Sequence, residues 1–95
     1  MATSLPRKDS ETVTGRIARF ETATETMTDY IGYLRNEIRD EKKITMPDQA
    51  RIAALEEQCW AIVNERKAIT FEDEALIRKA LYVYAPFLKA LRSGS

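Results

Sequence analysis

The sequence predicts an all-α protein of three amphipathic helices, a long first helix followed by a helical hairpin, in an up-down bundle that dimerises. Three observations carry this. Apolar residues recur at alternating spacings of three and four along most of the chain, the period of a helix face packed on another helix. Turn-forming residues interrupt that period near Pro47 and near Thr70. The composition, 44% hydrophobic and 32% charged over 95 residues, is that of one small globular domain with a solvated surface.

Residues 1–9 carry Pro6 and mixed charges with no apolar period, which predicts a disordered tail. A single helical domain is expected over 10–92, with a short C-terminal tail at 93–95. Val13, Ile17, Phe20, Thr24, Met27, Ile31, Leu34 and Ile38 form a heptad seam with one polar member, Thr24. Sustained for almost four heptads, it predicts coiled-coil packing against a partner helix. The alternating threonines from Thr22 to Thr28 read alone as a strand, but the longer seam outweighs them. Gly15 and Gly32 each cost a helix up to about 1 kcal/mol relative to alanine, so a break near Gly15 is the alternative to a continuous helix.

Lys42 and Lys43 suit the negative end of the first helix, and Pro47 suits the first position of the second. Ile52, Leu55, Cys59, Ile62 and Ile69 continue the spacing, widened by Trp60 and Val63; this face calls for burial. Thr70-Phe71-Glu72-Asp73 resembles a capping box, with the Thr70 hydroxyl accepting from the Asp73 amide. The third helix then runs to about Leu91. From Ala80 to Leu91 it is apolar on nearly every side, which calls for a deep core or an interface, and Pro86 should kink or break it.

The dimer follows from length. An unbroken first helix from Glu11 to Lys42 is about 48 Å long, whereas a compact globule of this size is about 33 Å across. The overhanging seam would meet water unless a second copy covered it; a bent first helix in a monomer is the competing arrangement. The candidate partner or dimer interface comprises Phe20, Met27, Ile31 and Leu34 of the first helix with Tyr82, Tyr84, Phe87, Leu88, Leu91 and Arg92 of the third. Aromatic residues and arginine are the types that dominate interface energetics.

Chemistry is sparse. Histidine is absent, which removes the commonest general base and metal ligand and every histidine-containing triad. Cys59 sits on an apolar stripe beside Trp60, where a thiol is ordinarily an inert hydrophobe. The acidic neighbours Asp40-Glu41, Glu56-Glu57 and Glu72-Asp73-Glu74 read as solvated faces and a helix start, and three glycines make no phosphate loop. No enzyme, metal or cofactor is expected. Fifteen cations balance fifteen acids, which argues against general nucleic-acid binding.

The reading that follows is a protein-interaction module, a small regulator, inhibitor or adaptor, with another protein as partner. The alternative is a helix-turn-helix DNA-binding regulator contacting DNA through Arg66 and Lys67 before the second turn and Arg78 and Lys79 after it. Against it stands the acidic start of the third helix. One cysteine and no secretory layout at the N-terminus lead to a cytoplasmic expectation. The stretch Ala80 to Leu91, broken by Pro86 and Lys89, falls short of the roughly 20 residues that span a bilayer.

Overall fold

The computed structural model describes residues 12–94. The expected tail at 1–9 and the final Ser95 lie outside the described residues. Within them the chain is all-helical: α1 (Val13–Lys43), α2 (Gln49–Ala68), and a third helix over 74–93 built from α3 (Glu74–Lys79), a π-helical turn (Ala80–Tyr84) and α4 (Ala85–Ser93). No strand occurs among the described residues.

α1 is unbroken through Gly15 and Gly32, so the break near Gly15 does not occur. Thr12 caps it, its hydroxyl accepting from the Gly15 amide at 2.9 Å, and Lys42 and Lys43 occupy the last turn. Thr24 and Thr28 turn their hydroxyls back onto the carbonyls of Glu21 and Thr24 at 2.9 and 3.0 Å. A threonine-rich segment thereby stays helical without stranded polar groups.

Helix α2 starts two residues later than the sequence suggested, at Gln49. Asp48, not Pro47, bounds it: the carboxylate of Asp48 accepts from the Arg51 amide at 3.0 Å, and Pro47 precedes this cap. The carboxylate of Glu41 reaches across the turn to the Asp48 amide at 2.9 Å and to Arg51 at 3.3 Å, closing the connection. The second connection also differs. The Asp73 amide meets the backbone carbonyl of Thr70, not its hydroxyl, at 3.0 Å. Asp73 is the true cap, accepting from the Leu76 amide at 3.2 Å; a carboxylate next to the first turn outcompetes a hydroxyl three residues upstream because it also offsets the positive helix end.

Pro86 does not break the third helix. The turn before it widens, with the Ala85 amide bonding to the carbonyl of Ala80, five residues back. That widening moves the preceding carbonyls clear of the proline ring. It also sets the packing: Ala80, Tyr84 and Leu88 are all buried, although successive steps of four in a straight α-helix drift by about 40° each. The π turn absorbs the drift and keeps all three on one face.

The helices run up, down and up. Thr28, Tyr30 and Glu37 of α1 meet Arg66, Gln58 and Arg51 of α2 in reverse order, whereas Arg19, Tyr30 and Tyr33 meet Glu74, Tyr84 and Phe87 in the same order. α1 packs closely against both neighbours, while α2 and the third helix scarcely approach each other at the backbone. The core therefore lies along α1: Ala23, Met27, Tyr30, Ile31 and Leu34 against Cys59, Ile62 and Ile69 on one side and Ile77, Ala80, Tyr84 and Leu88 on the other. The heptad seam is buried only in its second half. Val13 is 65% exposed and Ile17 40% exposed, because α1 extends past the ends of both neighbours.

Two substitutions test this arrangement. A Cβ added at Gly32 would meet nothing within 4 Å, and the site is an exposed helix interior. Gly32→Ala should stabilise the protein by up to about 1 kcal/mol, raising Tm by about 4–8 °C in a thermal melt followed by circular dichroism. Met27, fully buried in the core, should lose about 2–5 kcal/mol on replacement by alanine, read as a lowered urea midpoint.

Candidate functional site

Because α2 and the third helix both rest on α1 but stand apart, a groove of about 400 Å³ runs between them. Its floor is Tyr30 of α1 with Ile62 and Tyr84. Its walls are Gln58, Ala61 and Glu65 from α2, and Lys79, Val83 and Phe87 from the third helix. Val83 is 57% exposed and Phe87 41% exposed, so the third-helix wall presents apolar surface to water.

Polar groups on the floor and at one end are tied down. Gln58 Nε2 donates to the Tyr30 hydroxyl at 2.8 Å. Glu65 accepts from the Tyr84 hydroxyl at 2.6 Å and from Lys79 Nζ at 2.8 Å, and Lys79 also lies 5.5 Å from the Tyr84 ring centroid. These three side chains join α2 to the third helix where the backbones diverge. Tyr30 meets Tyr84 edge-on at 4.9 Å and Phe87 at 5.4 Å, and Tyr33 meets Phe87 at 5.7 Å. The aromatic cluster thus fixes the groove's floor and one wall in a single arrangement.

Burial raises the Tyr84 phenol above its ordinary value of 10.0, reinforced by the negative Glu65 beside it. Burial likewise raises Tyr30, with Tyr33 adding to it. The bond to Glu65 raises Lys79 above 10.5. On α1's overhang side, the hydrogen bond from Arg19 lowers Glu74 below 4.5.

A second groove of about 490 Å³ lies between α1 and α2 on the side away from the third helix, lined by Arg35 and Ile38 on one wall and by Cys59, Trp60 and Val63, with Glu56 and Glu57, on the other. Trp60 is 63% exposed. Among the described residues no group of three Cys, Asp or Glu side chains is placed to hold a metal ion, and no helix is long and apolar enough to cross a membrane.

The interface candidates separate into two sets. Met27, Ile31, Leu34, Tyr84 and Leu88 are buried in the chain's own core, and Phe20 is half-buried against Phe71 at 6.2 Å. Tyr82, Phe87, Leu91 and Arg92 are exposed, Arg92 within 3.7 Å of Asp29. The cations considered for DNA are dispersed: Arg66 donates to Thr28 at 3.2 Å, Arg78 lies 3.8 Å from Glu74, Lys79 is held by Glu65, and Lys67 stands exposed on the last turn of α2.

Sequence reasoning passed over Gln58, Ala61, Glu65 and Val83. A signal was present: Ala54, Gln58, Ala61, Glu65 and Ala68 repeat at spacings of four and three, a second seam on α2. It escapes a search for apolar residues because its members are small or polar. Trp60 and Val63 were read as widening the face that calls for burial; the chain leaves Trp60 open.

The fold and its grooves define an all-helical bundle with open clefts on two faces. No protein-family model, curated protein or solved structure matches this chain.

The raised tyrosine and lysine values make the folded state hold more protons than the unfolded one in alkaline solution. Stability is then fully present below about pH 10 and falls as pH rises through the folded-state values. Tyr84→Phe should lower stability at neutral pH by about 1.5–3 kcal/mol, through loss of a bond to a charged group, and should make the alkaline decline shallower. Urea unfolding of both proteins at neutral and alkaline pH checks it.

Proposed function

We propose that this chain is a non-enzymatic protein-interaction module, a small regulator, inhibitor or adaptor, that holds an amphipathic helix of a partner protein in the groove between α2 and the third helix. The observation that carries the reading is the separation of two helices by a shared floor, with Val83 and Phe87 exposed on the wall. A helix laid there has Ala61 on α2 to approach closely and Val83 and Phe87 to bury its apolar side against, the arrangement used in helix-in-groove recognition. Gln58 at the cleft uses its amide nitrogen on Tyr30, which leaves its carbonyl oxygen to accept an orienting contact.

The engaged positions of Arg66, Arg78 and Lys79 favour this reading over the helix-turn-helix alternative, since those cations already face acids or a hydroxyl within the chain. Isolated surface pairs of this kind are individually weak, but they offset the positive field that a phosphate backbone requires.

The test is selection from a displayed library of amphipathic helical peptides of about twenty residues. Peptides binding at micromolar affinity are expected, with Val83→Asp and Ala61→Arg, both at exposed lining positions, each weakening them on the order of tenfold or more and circular dichroism unchanged. Failure to select any helix, or binders indifferent to both substitutions, would overturn the reading.

A further inference from the structure

The groove between α1 and α2 lies on the opposite side of α2 from the cleft assigned to a partner helix, and its features are self-complementary. Arg35 stands on the α1 wall and Glu57 on the α2 wall of the same cleft, and among the described residues neither has an ion-pair partner in the chain. Glu56 is paired with Lys42 at 3.6 Å, both side chains about half exposed. Between the charged rims lie Ile38 and Val63, both half-buried, and Trp60, the chain's single tryptophan.

We infer that this face is the surface on which two copies of the chain pair, through a two-fold axis running along the groove. Such an axis lays α1 of each copy over α2 of the other. Arg35 of one copy then meets Glu57 of the second at the same level, twice by symmetry, and Trp60 packs against Ile38 of the second copy with Arg35 over its ring. The product is a four-helix bundle made of both copies of α1 and α2, an isologous contact that closes on itself.

Charge complementarity supports a second copy as occupant, because the one face carries both an unpaired cation and an unpaired acid. The groove lining on α2 runs only from Glu56 to Val63, about 12 Å, so the contact sits at the small end of specific interfaces. The dimer is accordingly reversible and concentration-dependent. The third helix lies outside it, so each copy keeps its other groove open and the proposal stands independently of what that groove binds.

The experiment is light scattering coupled to size exclusion on the full chain across a wide concentration range, with tryptophan fluorescence recorded on the same samples. The mass should rise from that of the 10.9 kDa chain toward twice that value, and the Trp60 emission should shift to shorter wavelength in step. Arg35→Glu and Glu57→Arg should each weaken pairing on the order of tenfold or more, like charges now facing each other. The double exchange should restore it. Both positions are exposed, and circular dichroism checks that each variant folds. A protein monomeric at every concentration, or a dimer that either single exchange leaves intact, overturns the proposal; so does a dimer whose Trp60 emission is the same as the monomer's.

Discussion

Tyr30 is the point at which the three helices are held to one another. Its ring packs edge-on to Tyr84 and against Phe87, and its hydroxyl receives a hydrogen bond from Gln58. One side chain of α1 therefore touches both of the other helices, which otherwise meet chiefly through Glu65, Lys79 and Tyr84. The amphipathic character of tyrosine is what permits this. An apolar residue of the same volume would leave the amide of Gln58 without its partner, and a polar one would forfeit the aromatic contacts that anchor the third helix.

With α1 in the middle, its burial differs from that of a helix with a single apolar stripe. Ala23, Thr26 and Tyr30 are buried as well as Met27, Ile31 and Leu34, so the covered arc spans two neighbouring stripes. The heptad seam exposed one stripe to reading, and the helices, their order and the excess length of the first followed from it. The second stripe was opaque because alanine, threonine and tyrosine are ambiguous in a hydropathy pattern: each is buried or exposed according to what packs beside it. Helix starts were misread for a related reason. Pro47 was taken as the first position of α2 and Thr70 as the cap of the third helix, where Asp48 and Asp73 cap, and the choice rests on backbone geometry that the residue types alone leave open.

The two grooves follow from the same geometry. Two helices laid on a common floor leave one cleft between themselves and another on the far side of α2. The first was hidden in the sequence by the small and polar seam of Ala54, Gln58 and Ala61, and the second by the assumption that every apolar residue near a stripe joins it. Trp60 shows why that fails. A side chain displaced from the centre of the α2 face by a fraction of a turn points past the edge of α1, and with no further helix beside it among the described residues the indole is open within the single chain.

The wide turn at Ala80–Tyr84 gives the third helix a property that α1 lacks. It holds one more residue than an ordinary turn of the same rise, and so acts as a reserve of chain length. Losing one residue there would convert it to regular α-helix and leave Leu88 and its successors facing as they do now, though Pro86 would then sit against an undisplaced carbonyl. Losing one residue from the middle of α1 would instead swing everything beyond it by about 100°, tearing Tyr30 or Leu34 from their partners. The register beyond a lost residue is thus kept in one helix of this protein and destroyed in another, and proline marks the one that can give.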